Sequence, residues 1–304
     1  MIINTKVLAV VVTYNRSLLL KRCIEKILSQ TSPPEDIVVI NNGSTDNTLD
    51  ILKEMNIKVI TQDNKGSAGG WLKGIEYSLE NNFDAAWLMD DDGYPERDSL
   101  EKLKKSLNKN ISCVSSIVIK EDNKDCFVFP YPIINKNNKP AIFSWPRKLH
   151  RKNQLINKSK SKLYPFAHLF NGSLISTTAI KQVGNIDINY FIYGDELDYF
   201  FRLRNAGEVF SVTDALHFHP DVTKRKYNFL KIYYLLKNTL ILNKKYYDYV
   251  FLRQISQIIN ILIIVLKRNG IIFFIKLLTG KNKTLIPRAI IRGIRGEIGH
   301  DFYK

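Results

Sequence analysis

An α/β fold built on a parallel sheet, followed by a basic helical region, is what this 304-residue sequence predicts. Three observations predict it. Short, continuously apolar runs alternate with stretches of helical spacing through the first ninety residues. Each run ends in a polar segment, and a doubly wound sheet brings such ends to one edge. From about residue 227 the texture changes to apolar clusters broken by Lys and Arg.

The elements follow in order. Residues 6–13 (KVLAVVVT) have the β-branched, unbroken apolarity of a buried parallel strand. Over residues 16–30 the spacing sets Leu19, Leu20, Cys23, Ile24, Ile27 and Leu28 on one helical face, and Pro33-Pro34 prevents continuation. Ile37–Ile40 is the second strand, Asn41–Thr48 a polar loop, Thr48–Met55 a short helix and Ile57–Thr61 the third strand. A Gly-rich stretch at 66–70 precedes a helix at about 71–81, and residues 85–89 form the strand that ends in Asp90-Asp91-Asp92. Residues 113–119 make another strand, and 120–165, rich in Lys, Asn and Pro, an irregular segment with mixed strands. Strand character resumes at 172–178, Thr178–Val183 is a short helix, and residues 195–206 are a helix ended by Gly207.

Four loops should therefore converge: Thr13–Arg16, Asn41–Asp46, Asn64–Gly70 and Asp90–Asp92. Adjacent carboxylates at a strand end are costly unless a hard cation and an anionic ligand share the charge. Asp92-Gly93 is also a good turn pair, so the triplet alone leaves an acidic turn open. Thr13 and Asn15 offer hydrogen bonds to a base or ribose, and Arg16 a phosphate contact. The glycines at 66–70 allow backbone to approach a phosphate or sugar, although no Walker-type GK[ST] follows. Asp195 and Asp198 share a helix face at the favourable N-terminal end, a placement that dipole stabilisation alone would also explain.

Composition is that of an ordinary folded protein, 45% hydrophobic and 24% charged. Cys23, Cys113 and Cys126 have no metal-binding spacing and suggest a reducing compartment. The chain enters its first strand directly from Met1, so no signal peptide is expected, and the sequons at Asn42 and Asn171 are not expected to carry glycans. The net charge of +16 is concentrated at one end: residues 221–304 hold 17 Lys or Arg against 4 Asp or Glu. The longest charge-free run there, Gln254–Leu266, has 13 residues, short of the roughly 18–20 that span a bilayer. A monotopic position at an anionic membrane surface is the expectation, against helices that simply pack on the main domain.

VVTYNR, NNGSTDNT, NKGSAGG, WLMDDDG and FIYGDELDYFFRLRNAG, in this order and at these separations, resemble inverting glycosyltransferase family 2. Within it the chain is similar to the galactofuranosyl- and rhamnosyltransferase-like branch of bacterial surface-polysaccharide synthesis (O-antigen and capsule). The likeness covers roughly residues 5–240, and Tyr233–Leu240 is similar to the family's Y-x-x-R-N-x-L stretch. It implies a GT-A fold, a Rossmann-like mixed sheet, with residues 1–220 catalytic (1–112 the nucleotide-sugar half, 113–220 the acceptor half). Residues 221–304 would be a basic, membrane-associating helical region. By resemblance Thr13, Asn15, Arg16, Asn41 and Asn64 bind the nucleotide-sugar, with Asp91 towards the ribose. Asp90, Asp92 and His219 match the ligands of Mn²⁺ or Mg²⁺, with His217 as the rival histidine. Glu196 matches the general base, with Asp195 competing; the family more often has Asp there, and Asp rather than Asn41 in the second loop. Trp71 and Asp198 are expected on the acceptor and supporting side.

The implied reaction is a single displacement in which a carboxylate takes a proton from an acceptor hydroxyl while a nucleoside diphosphate departs. The donor would be UDP-galactofuranose, dTDP-rhamnose or a UDP-hexose, and the acceptor a lipid-linked or growing glycan on the inner face of the cell membrane. A sugar-phosphate nucleotidyltransferase is the alternative, but it wants a Gly-rich loop after the first strand, where this chain has Thr-Tyr-Asn-Arg. A non-enzymatic lipid or nucleic-acid binder is disfavoured, because the basic excess avoids the cleft loops.

Overall fold

The computed structural model describes residues 5–144, 146–223 and 225–302; the start at Met1–Asn4 lies outside them. The chain divides into two compact units, residues 1–186 with 199–221, and residues 187–198 with 222–304.

The first unit begins with β1 (Val7–Thr13), α1 (Ser17–Leu28), β2 (Asp36–Asn41), α2 (Thr48–Glu54), β3 (Lys58–Thr61), α3 (Gly66–Glu80) and β4 (Ala85–Asp90). It continues through β5 (Tyr94–Pro95), α4 (Ser99–Ser106), β6 (Ile111–Lys120), β7 (Cys126–Pro132), β8 (Lys148–Arg151), α5 (Lys152–Ile156) and β9 (Leu163–Tyr164). Then come β10 (Asn171–Ser176), α6 (Thr177–Val183), α7 (Asp195–Ala206), whose residues 195–198 group with the second unit, and β11 (Glu208–His219). Strand order is β3-β2-β1-β4-β10-β6-β11-β5. β3, β2, β1 and β4 run parallel, whereas β10 is antiparallel to both β4 and β6, so the sheet is mixed.

Every residue of β1 is buried, as its two-faced apolarity requires. Val7, Ala9 and Val11 pack with Leu20, Cys23, Ile24 and Ile27 of α1. Leu28, expected on that face, is 54% exposed, while Ile27 beside it is buried in the core, so Leu28 falls outside the buried stripe of α1. On the other face, a Cβ at Gly70 or Gly74 would lie 2.5 or 2.2 Å from the methyls of Val12 or Val10, so only glycine lets α3 sit this close. That explains why α3 starts at Gly66 and not near 71: packing overrides the poor helix propensity of glycine.

The second unit holds α8 (Phe229–Tyr246), α9 (Val250–Asn269), α10 (Ile271–Leu278), a 3₁₀ turn (Gly280–Asn282) and α11 (Leu285–Arg295). Its core gathers Ile232, Tyr233, Leu236 and Leu240 of α8 with Ile261, Val265, Leu277, Ile286 and Ala289. α9 is 20 residues long with a mean hydropathy of 1.7, long and apolar enough by length and composition to cross a membrane. The 13-residue charge-free run understated it, because Arg253, Lys267 and Arg268 sit near its ends within the same helix.

Candidate active site

Parallel register aligns the sheet edge. Thr13 pairs with Asn41 across β1 and β2, and Val12 with Asp90 across β1 and β4, so three predicted site residues end adjacent strands. Thr13 donates its hydroxyl to Asp91 Oδ2 at 2.7 Å. Arg16 Nη1 lies 3.0 Å from Asp91 Oδ1 and 2.8 Å from Asp92 Oδ2, one guanidinium nitrogen shared by two buried carboxylates. Burial pushes the Asp91 carboxyl up from its usual range, opposed by Arg16 and by the Thr13 hydroxyl. The acidic-turn alternative does not account for a buried pair held by a cation from another loop.

Asn15 adopts a left-handed backbone (φ 53°), which Asn tolerates better than most residues. Its side-chain oxygen accepts the Thr45 amide at 2.7 Å, while its own amide donates to Ser44 Oγ at 2.9 Å. Asn41 Oδ1 accepts the Ser44 amide at 2.9 Å, and Asn64 Oδ1 the Gly66 amide at 3.0 Å. These three asparagines therefore shape the loops at the sheet edge, and their side-chain oxygens are engaged with backbone.

His219 ends β11 with Nε2 3.0 Å from Asp92 Oδ1 and Nδ1 2.7 Å from the Pro220 carbonyl oxygen. If Nδ1 donates to that carbonyl, the neutral ring presents a lone pair at Nε2 to a carboxylate oxygen, an arrangement that needs a cation or a proton between them. The separation suits two neighbouring ligands of one hard cation with bonds of about 2.1 Å. The donor pair fits a divalent metal. Among the described residues, however, no group of three or more His, Cys, Asp or Glu is gathered for a metal, so Asp90 does not close a ready three-donor cluster with Asp92 and His219. Asp90 stands at the end of β4, its amide donating to the Phe170 carbonyl at 2.9 Å.

His217 does not compete. It is fully buried, and its ring lies so close to Gly93 and Gly172 that added Cβ atoms would sit 2.3 and 3.0 Å from its nitrogens. Burial, helped by the nearby His219, lowers it to about 3, so it is a neutral packing residue. Trp71 is also fully buried, stacked on Phe170 at 4.7 Å, and so supports the β4–β10 edge without being open to an acceptor.

Two residues at this edge were missed from sequence. Arg22 Nη2 donates to the Asp92 carbonyl at 2.9 Å and pairs with Glu121 at 2.8 Å; an Arg within a helical run carries no local signal of either contact. Asn171 Oδ1 is buried with no hydrogen-bond partner among the described residues, beside the end of β4. In the sequence it stands out only as part of a sequon.

The carboxylates of α7 divide by environment. Asp195 is buried, and its Oδ2 has no hydrogen-bond partner among the described residues. Burial first, then Glu196 beside it, raises its carboxyl to about 7. Glu196 is partly exposed. Asp198 Oδ1 accepts from Lys245 Nζ at 2.7 Å and from the Tyr246 hydroxyl at 2.6 Å. These bonds tie the first turn of α7 to the end of α8 through Asp198.

Comparison with known proteins now places the molecule. Residues 8–172 match the glycosyl transferase family 2 profile, and the chain belongs to that family. It is 28% identical over 227 residues to the galactofuranosyltransferase GlfT1 of Mycolicibacterium smegmatis, covering 70% of each chain. Among solved structures it is similar to the Pyrobaculum calidifontis mannosyltransferase PcManGT in complex with GDP-Man and Mn²⁺ (TM-score 0.56, 14% identity, 96% of this chain and 86% of that one). It is also similar to GalNAc-T7 with UDP, GalNAc and Mn²⁺ (TM-score 0.59, 14% identity, 81% of this chain), of which it spans about half, 49%. The fold is GT-A, and the protein is a glycosyltransferase.

Proposed function

We propose that this enzyme moves a sugar from a nucleoside-diphosphate donor to a glycan hydroxyl in one inverting displacement. The observation that carries this reading is the Arg16–Asp91–Asp92–His219 cluster at the ends of β1, β4 and β11. Asp92 and His219, with Asp90 beside them and diphosphate oxygens completing the set, would hold Mn²⁺ or Mg²⁺. Such a cation offsets the charge that builds on the leaving diphosphate. Arg16 is placed to meet a phosphate, and Thr13, Asn15, Asn41 and Asn64 form the loops that receive the nucleoside. Glu196 takes the acceptor proton: it is the more accessible of the two adjacent carboxylates, and reach precedes basicity in choosing a base. No general acid is required, because a diphosphate leaves without being protonated. The GlfT1 similarity makes UDP-galactofuranose the first donor to test, before dTDP-rhamnose and UDP-hexoses. In a donor screen with Mn²⁺, the correct donor at 100 times its Kd should stabilise the fold by about 2.7 kcal/mol, a rise of several degrees in Tm. No Mn²⁺-dependent shift with any nucleotide-sugar would remove the reading.

The acceptor we propose is a lipid-linked or growing polysaccharide, met at the anionic inner surface of the cell membrane. Phe251, Ile255, Ile259 and Ile263 form an exposed stripe at four-residue spacing on α9, and Ile271, Ile272 and Ile275 extend the exposed apolar surface on α10. Lys267, Lys276, Lys281 and Lys283 lie among and beyond them. Ile261 and Val265 turn the other face of α9 into the core of its own unit, which favours a helix lying in the interface over one crossing it. Replacing Phe251 (73% exposed) and Ile272 (71% exposed) with Glu should cut binding to anionic vesicles by roughly 10²- to 10⁴-fold, at about 1.5–3 kcal/mol per buried side chain. Unchanged co-sedimentation would contradict the membrane assignment.

A further inference from the structure

The segment that carries Asp195 and Glu196 belongs to the helical unit, not to the sheet, since residues 187–198 group with 222–304. Within that unit the segment is tied down on both sides of the two carboxylates. Upstream, Asn238 of α8 is buried and donates its side-chain amide to two successive carbonyls, Ile192 at 3.0 Å and Tyr193 at 2.6 Å. These carbonyls open a left-handed pair, Tyr193 (φ 61°) and Gly194 (φ 106°). A Cβ on Gly194 would come 2.8 Å from the Tyr190 ring and 3.1 Å from Asn238 Cβ, so the turn is strained and crowded. Downstream, Lys245 and Tyr246 at the far end of α8 hold Asp198.

The same helix is itself clamped by the end of the chain. Lys237, next to Asn238, is fully buried, pairs with Asp301 and donates to the Gly299 carbonyl at 2.8 Å. Asp301 also pairs with Arg292 at 2.9 Å, and its amide donates to the Tyr234 hydroxyl at 2.9 Å. Phe302 packs edge-on against Tyr233 at 4.8 Å. Residues Tyr233–Asn238 thus face two ways, with Lys237 and the tyrosines towards the C-terminal segment and Asn238 towards the turn before Asp195.

We propose that Asn238 is a positioning residue for the transfer reaction, holding the Ile192–Gly194 turn so that the first turn of α7 presents its carboxylate at one fixed place, with Lys237–Asp301 locking α8 behind it. The C-terminal helical unit then has a catalytic duty distinct from membrane contact. This inference rests on the base assignment made above, and its test separates the two.

Asn238→Ala removes both donors from the turn and leaves the donor-binding loops untouched. The expected result is a fall in kcat of about 10- to 100-fold, the scale of a small misplacement of a reacting group. Donor affinity by calorimetry should stay within about twofold, with a cooperative melt retained. Should Asn238→Ala fail to fold, Tyr246→Phe, which deletes only one hydroxyl from Asp198, gives the same readout: lower kcat at unchanged donor affinity. An unchanged kcat in the folded variant, or equal loss of kcat and donor affinity, overturns the proposal. If Asp195→Asn and Glu196→Gln both keep full kcat, the base assignment itself falls. If either carboxylate variant is inactive while Asn238→Ala and Tyr246→Phe turn over normally, only the positioning role falls.

Discussion

Asp92→Asn should lower kcat/KM by about 10³-fold, near 4 kcal/mol of transition-state stabilisation, while the protein stays folded. The substitution keeps the shape of the side chain and removes the charge that meets both Arg16 and His219. The expected loss is large because Asp92, as the proposed metal ligand, would act where charge develops on the leaving diphosphate, with an effect greater in the transition state than in the bound donor. The two histidines of β11 should separate cleanly. His219→Gln weakens Mn²⁺ affinity measured by calorimetry. His217→Asn leaves a void between Gly93 and Gly172 and lowers Tm, with Mn²⁺ affinity unchanged. Equal metal affinity in wild type and His219→Gln would contradict the ligand assignment.

The second large effect is at Glu196, the proposed base. Glu196→Gln should remove about 10²- to 10⁴-fold of kcat, the range of general base catalysis, with donor binding intact. Asp195 has a different signature, because burial holds its carboxyl at about 7, above the usual 3.8. Between pH 4 and 7 the folded protein keeps a proton on Asp195 that the unfolded chain has released. Stability from this group therefore falls as pH rises through that window and stays low above it. Asp195→Asn should lack this fall, gaining on the order of 4 kcal/mol over wild type at pH 8 and nothing near pH 4. Ionisation of Asp195 near pH 7 also puts a second negative charge beside Glu196, so with Glu196 as the proposed base wild-type kcat should climb through pH 7 and the variant should lose that climb. Thermal melts and pH–rate profiles of both variants read these outcomes. A wild-type melt that rises between pH 4 and 8 relative to Asp195→Asn would contradict the buried-carboxyl account.

How much of this was legible beforehand depended on whether the signal was local. β1, β2 and β4 announce themselves, because strands buried on both faces must be continuously apolar, and their ends locate Thr13, Asn41 and Asp90 on one edge. β11 was not recognised as a strand: its twelve residues mix Ser, Thr, Asp and His, and a register shift between Val212 and Leu216 breaks the alternation. The antiparallel placement of β10 between β4 and β6 is a tertiary choice that a six-residue run cannot express. At the site, the family resemblance singled out Asp92 and His219, but nothing in the sequence indicated Arg16 bridging two aspartates or Asn15, Asn41 and Asn64 bonding their own loops. Asp198 shared a helix face with Asp195 in the sequence, yet one is spent on Lys245 and Tyr246 while the other is buried with a free oxygen. Burial separates them, and burial comes from segments distant in sequence. The expected boundary at residue 220 likewise overlooked residues 187–198, which group with the helical unit through bonds such as those of Asn238.

Anomalous diffraction at the manganese edge, from crystals grown with Mn²⁺ and the UDP product, tests the central claim most directly. The account predicts one strong peak within bonding distance of Asp92 and His219, with the diphosphate on its far side and Arg16 turned to a phosphate. A peak bound away from both residues, or a nucleotide seated off the ends of β1 and β4, would contradict it.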